Sequence, residues 1–400
     1  MVRSTSTRLP AGWPAVLLLL LMPLQAALAE DMPSDDAALW NRMLTGEAPI
    51  PVEWVAPAAR TQLTPAVVAT LAEQLQALAG PLESVAQAGD EWRLTFERMV
   101  AMAVLTRDSA GLISGLFVKQ PTPRAASLVE AAGAITGLAG ESALLVTHGD
   151  QVLFDHDADL PLLIGSAFKL AVLTVLREEV DAGDMRWDDV LALDAARMSL
   201  PSGVLQDFPD GHPLTVATLA ALMISVSDNT ATDLLMARLD PARLEAVAGV
   251  APLLSTLDYF KIKRDDALTE RYAAAAEDER RAIVAELAGA EAPTVADIAN
   301  ANAAHGWRIP THRLCGLIAG VADLDLMTIN PGGLPRGDWD RIAFKGGSDH
   351  GVLNLTYLLV REGSAPWCIS ATRNTDAAID EAEFLGLVAS VAAVLRESAE

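Results

Sequence analysis

The spacing of apolar positions changes more than once along this chain. From Pro65 to Leu78 they fall at Val67, Val68, Leu71, Leu75 and Leu78, the repeat of about 3.6 residues that predicts a helix. The period then shortens. Leu82–Gln87, Trp92–Met99, Met102–Leu105 and Leu112–Val118 read as strands, with Ala88-Gly89-Asp90 and Asp108-Ser109-Ala110-Gly111 supplying turns. Helices followed by an antiparallel meander predict a small α+β domain over residues 35–120. No convergent set of ionisable groups falls within it. Glu97 and Arg98, on alternating strand faces, read as solvated or paired surface residues.

Gln120-Pro121-Thr122-Pro123-Arg124 reads as a linker, because its two prolines interrupt helix and sheet alike. The pattern beyond it predicts a second domain over residues 126–400. Ala143–Thr147, the His148-Gly149-Asp150 turn and Gln151–Phe154 form a hairpin pattern. A long helical run extends from Ser166 to Ala182 and stops near Gly183. Further helices are predicted over Val216–Ser225 and Thr230–Leu239, and the alanine- and charge-rich stretch 265–305 reads as surface helices. Three strands follow at Arg341–Gly346, Val352–Val360 and Trp367–Thr372, before a closing amphipathic helix at Ile379–Glu397. Strands at both ends with helices between them predict one mixed or antiparallel sheet beside a helical lobe, its edges drawn from the two ends of the domain.

Composition narrows the function classes. Half of the 400 residues are hydrophobic (51%), enough for a large core divided between two domains. Lys+Arg number 29 against 53 Asp+Glu, a net charge of −24, which argues against nucleic acid as a partner because phosphate binding needs a basic face. Residues 1–29 read as a cleavable export signal: Arg3 and Arg8 precede the apolar run Ala15–Met22, and Ala27-Leu28-Ala29 makes a small-x-small cleavage site before Glu30. The run is too short to span a bilayer securely, nothing later resembles a transmembrane helix, and no cysteine stands at the cleavage point to take a lipid. The expected home is a periplasm or the cell exterior. Cys315 and Cys368 could form one disulfide there, but two separate buried thiols are the favoured reading, since free cysteine behaves as a small hydrophobe. Neither lies in a metal-ligand spacing and the six histidines are scattered, so no metal and no cofactor is expected.

Three short strings carry the chemistry. Ser166-Ala167-Phe168-Lys169 opens an apolar helix, Ser227-Asp228-Asn229 lies between two apolar helices, and Lys345-Gly346-Gly347-Ser348 lies on the first of the late strands. A serine hydroxyl is a poor nucleophile at neutral pH unless a base takes its proton. A lysine at i+3 lies one helical turn on and can be that base if a desolvated, cation-rich pocket lowers its pKa. The plain alternative is an N-cap serine beside a surface lysine. Lysine is scarce here, only five in the chain (119, 169, 261, 263 and 345), so one embedded beside Phe168, Leu170 and Val172 needs a reason. Ser227 could pass a proton to a leaving group and Asn229 hold a lysine or a substrate amide, although Asp228 or Asn229 could equally cap the helix at Thr230. Lys345 supplies charge to a carboxylate and electrostatic pressure on Lys169, while Gly346 and Gly347 allow close approach of a ligand to the strand.

At these residues the sequence resembles the penicillin-recognising serine hydrolase superfamily, in its class A β-lactamase-like branch. The resemblance covers Ala126 to Glu400. It implies Ser166 as acyl-accepting nucleophile, Lys169 as general base, Ser227 and Asn229 as proton-relay and binding groups, and Lys345, Gly347 and Ser348 as substrate-binding positions. It also implies an oxyanion hole from the backbone N–H groups of Ser166 and Ser348. The two-domain layout is similar to that of the cephalosporin-esterase-like proteins of clavulanic acid biosynthesis, in which a small steroid-isomerase-like domain precedes a β-lactamase-like one; Phe344–Ser348 and Leu254–Lys261 carry that likeness. Two departures stand out. The Glu-x-x-Leu-Asn string of class A β-lactamases is absent, and Gly346 stands where a threonine or serine is usual. The expected function is therefore an exported serine hydrolase acting on a small-molecule ester or β-lactam-type substrate. A slow β-lactamase, a D-Ala-D-Ala peptidase acting on cell-wall peptide, and a non-catalytic ligand-binding or sensor protein of the same fold are the alternatives.

Overall fold

The computed structural model describes residues 32–46, 49–298 and 305–398. The export signal read over residues 1–29 lies outside them. The chain first lays two helices, α1 (Asp36–Thr45) and α2 (Pro65–Ala79), on a meander of β1 (Leu82–Ala88), β2 (Glu91–Phe96), β3 (Met99–Arg107) and β4 (Ile113–Val118). The Thr64 hydroxyl accepts from the Val67 N–H at the start of α2, where Pro65 has no N–H to lose. Trp40, Leu94, Phe96 and Ile113 fill the core between helices and sheet. Met99 begins β3 rather than ending β2, because the chain turns at Glu97-Arg98 and the Arg98 guanidinium holds the last carbonyls of α2, Ala77 and Leu78. The proline-rich linker is in part a strand: β5 (Thr122–Pro123) pairs with the start of β3, beyond the end of β4, at a sheet position where proline is tolerated.

The rest of the chain builds a second sheet and a helical lobe. After α3 (Leu128–Thr136) come the hairpin strands β6 (Glu141–His148) and β7 (Gln151–His156). The lobe follows with α4 (Lys169–Ala182), the ribbon β8 (Val190–Ala192) and β9 (Pro213–Thr215), α5 (Val216–Ser225), α6 (Asn229–Met236), α7 (Pro241–Ala248), α8 (Thr256–Lys263), α9 (Asp266–Ala274), α10 (Glu277–Glu286), α11 (Val295–Ile298) and α12 (Thr311–Val321). The chain closes with β10 (Arg341–Asp349), β11 (Val352–Val360), β12 (Trp367–Asn374) and α13 (Glu381–Ser398). The sheet runs β10-β11-β12-β6-β7, antiparallel throughout, with one edge from each end of the domain. One core, around Tyr357, Ile369 and Phe384, lies between the sheet and α3 with α13. The other, around Phe168, Leu173, Met223 and Ile318, joins the helical lobe to the sheet.

Two long-range ties join distant parts of the chain. Cys315 of α12 and Cys368 of β12 form a disulfide with Cα atoms 5.9 Å apart, which corrects the expectation of two separate thiols. α12 packs directly on β12, and a separation of 53 residues along the chain hid that proximity. The first layer meets the second at the turn before β10. There Gly337 lies against the Gly89 turn, with no room for a Cβ at Gly337, and the Arg93 guanidinium pairs with the largely buried Asp338 carboxylate. No helix of the described residues is long and apolar enough to cross a membrane.

Candidate active site

Ser166 lies on a 3-10 turn, Gly165–Phe168, that runs into α4, and not within the α-helix itself. Three tethers fix this turn. Asn374 of β12 accepts from the Leu163 N–H (2.8 Å) and donates to the Leu163 carbonyl (2.9 Å), and the Ile164 N–H donates to the Trp307 carbonyl. Phe168 stacks on Trp307 with centroids 4.0 Å apart. The third is the edge strand β10. Gly165 has φ +50°, and a Cβ there would come within 2.9 Å of the Ser348 nitrogen. A Cβ on Gly347 would overlap the Ile164 carbonyl and the Ser166 N–H. Glycine at both positions is what lets β10 press against the nucleophile's backbone.

Lys169 is the first residue of α4 and is fully buried, with Leu170, Ala171, Val172 and Leu173 around the same turn equally buried. Its ammonium donates to the Ser227 carbonyl (2.6 Å), the Ser227 Oγ (3.2 Å) and the Asn229 Oδ1 (2.7 Å). Ser166 borders the same cleft but is not among these partners. Ser227 adopts φ +57°, a left-handed conformation that costs energy for a residue with a side chain. Asp228 holds it there. One carboxylate oxygen caps α6 through the Ala231 N–H (2.8 Å), and the other accepts from the N–H groups of Val204 (2.7 Å) and Leu205 (3.0 Å). Asn229 donates to the Leu200 carbonyl at 2.8 Å, so its Oδ1 is left facing Lys169.

Lys345 enters from β10, buried to 2% exposure, and donates to the Ser227 Oγ (3.1 Å) and to the Gly346 carbonyl. The Ser227 hydroxyl therefore accepts from two ammonium groups at once. A hydroxyl has two lone pairs and one proton, so its proton is free for a third partner on the cleft side. Burial pushes the Lys169 pKa well below the ordinary lysine value, and the Lys345 charge pushes it further, against the pull of Asp233 and Asp228. Burial alone brings Lys345 down to about 7.

These groups border a cleft of about 500 Å³ between the helical lobe and β10. Ser166, Ser227, Asn229, Gly346, Gly347 and the exposed Ser348 line it. So do residues to which the sequence patterns assigned no chemical role. Tyr259 and Lys263 of α8 both donate to the Asp349 carboxylate, next to Ser348. Tyr259 also stacks on Trp307, with centroids 4.6 Å apart, extending the Phe168–Trp307 pair into a column. The start of α8 is held from below by Asp233, whose two oxygens accept from the Thr256 and Leu257 N–H groups (2.7 and 2.8 Å). Burial pushes this carboxyl up to about 6 against those two bonds. The scarcity of lysine was the available signal: four of the five, Lys169, Lys261, Lys263 and Lys345, are buried.

Residues 124–274 match the model of the family described as the Beta-lactamase enzyme family, a segment that contains Ser166, Lys169, Ser227 and Asn229. No curated protein sequence matches the chain. Among solved structures, a beta-lactamase from Sphaerobacter thermophilus is similar at 20% identity over 68% of this chain and 97% of its own, with a TM-score of 0.47. An ancestral class A beta-lactamase is 19% identical over 68% of this chain and 100% of its own, TM-score 0.48. A PBP-A variant captured as its acyl-enzyme with penicillin G is 16% identical over 68% and 96%, TM-score 0.45. The family match over residues 124–274 supports a place for that segment in the penicillin-recognising superfamily, as a beta-lactamase-like serine hydrolase.

Proposed function

We propose that the protein is an exported serine hydrolase that forms an acyl-enzyme on Ser166. The observation that carries this reading is the Lys169–Ser227–Lys345 cluster beside Ser166, with one hydroxyl shared by two buried lysines. Neutral Lys169 takes the Ser166 proton as the Ser166 Oγ bonds to the substrate's carbonyl carbon. The backbone N–H groups of Ser166 and Ser348 receive the developing oxyanion. Ser227 gives its free proton to the departing oxygen or nitrogen and regains one from protonated Lys169. Water then releases the acyl group. Asn229 orients Lys169, and Lys345 acts through Ser227 and Lys169. The disulfide favours an oxidising compartment and so supports export. The small first domain we read as steroid-isomerase-like, in the layout of the two-domain cephalosporin-esterase-like proteins.

The substrate class is an ester or β-lactam-type amide. A slow β-lactamase is the second reading, favoured by the family match over residues 124–274. Intact-mass spectrometry tests both. A p-nitrophenyl ester should add one acyl group per wild-type chain and none to Ser166→Ala; labelling of the variant at full stoichiometry would sink the assignment. A penicillin adduct that persists for hours favours the esterase, and one that clears within seconds favours the β-lactamase.

A further inference from the structure

Resting on the acyl-serine reading above, we infer that the cleft is built for an uncharged acyl donor carrying an aromatic or bulky apolar group, and that it discriminates against substrates bearing a carboxylate. The cations at the cleft are already engaged. Lys345 is buried, does not line the cleft, and has its ammonium committed to Ser227 and Gly346. Lys263 does line the cleft, but its charge is met by Asp349 and its ammonium lies 5.9 and 5.8 Å from the ring centres of Tyr259 and Phe260. No arginine lines the cleft among the described residues, and the sequence from Thr294 to Gly306 holds neither lysine nor arginine.

Two acids, Asp349 and Glu381, line the cleft as well; Asp349 and Lys263 offset each other, so an incoming carboxylate meets the Glu381 charge and no cation free to pair with it among the described residues. Gly346, which also lines the cleft, offers no hydroxyl to an anion. The remaining wall is apolar: Phe260, Trp307, Phe344, Leu353 and Leu355 also line the cleft. The Phe168–Trp307–Tyr259 column connects Trp307 in that wall to the nucleophile's own turn.

The test uses the full chain and three p-nitrophenyl esters: phenylacetate, 4-carboxyphenylacetate and acetate. With spontaneous hydrolysis subtracted, kcat/KM for phenylacetate should exceed that for each of the other two at least ten-fold at pH 7. A carboxylated ester turned over as well as phenylacetate would overturn the inference, as would equal use of acetate. Asp349→Asn leaves Lys263 without its counter-charge and should narrow the discrimination against the carboxylate at least three-fold; an unchanged ratio counts against the pairing argument. Ligand-detected NMR of the same esters on Ser166→Ala reads the preference without turnover. Retained preference in a wild-type protein that never acylates removes the proposed function and leaves this inference standing; indiscriminate binding removes the inference alone.

Discussion

At the scale of single residues, the site turns on the placement of two lysines around one serine hydroxyl. Lys169 can act as a base only in its neutral form, above its own pKa. The Lys345 cation is one of the two causes that lower that pKa, after burial. Replacing Lys345 by methionine keeps the volume and removes the charge, so the Lys169 pKa rises. The alkaline-rising limb of the acylation rate against pH should then move up by about 1 unit. A pH–rate profile of Lys345→Met beside wild type checks this; a limb that stays in place means that Lys169 is not the base. The meeting of Lys169, Ser227 and Lys345 at the cleft that Ser166 borders was legible in the sequence because each belongs to a short string whose internal spacing is itself chemical. Lys263 and Asp349 were not, since 86 residues separate them and only the docking of α8 against β10 brings them together.

At the scale of elements, α8 brings Tyr259 and Lys263 to the cleft, and its support is the least obvious. Its buried foundation is Asp233, which accepts from two N–H groups that the helix itself leaves unbonded. Asp233→Ala strands both, and should cost roughly 1–3 kcal/mol in urea denaturation, with slower acylation as Tyr259 and Lys263 shift. The pH dependence has a definite sign. The Asp233 carboxyl lies at about 6 in the folded chain against 3.8 for an ordinary one, so between those values the folded state holds more proton. Stability contributed by this group is then greatest below that window and falls as pH rises through it. The advantage of wild type over Asp233→Ala should shrink across the window; a difference that grows instead refutes the assignment. Helices with a clear apolar repeat, such as α2, and the alternating strands were legible. The 3-10 turn under Ser166 was not, because Ala167, Phe168 and Leu170 suit a continuing helix and only the tethers from Asn374 and Trp307 tighten it.

At the scale of the whole molecule, the division into two sheets could be read from where helical and strand periods alternate, while the ties between distant parts could not. The Cys315–Cys368 bridge closes a loop of 53 residues between helical lobe and sheet, worth about 4 kcal/mol on chain entropy alone. Guanidinium denaturation of a Cys315→Ser, Cys368→Ser double variant should show a loss of that order, matched by wild type under reductant; equal midpoints would mean the bridge carries no stability. The other tie is the joint where bare backbone meets bare backbone, Gly89 against Gly337, with Arg93 covering Asp338. This joint limits how the protein can be inherited. A half bearing Ser166 that was moved by recombination onto a foreign partner would keep a turn moulded to a missing glycine and an acidic group stripped of its counter-ion, two residues short of the strand that carries Lys345. The two halves are therefore poor candidates for shuffling, and drift at position 89 is answerable to position 337.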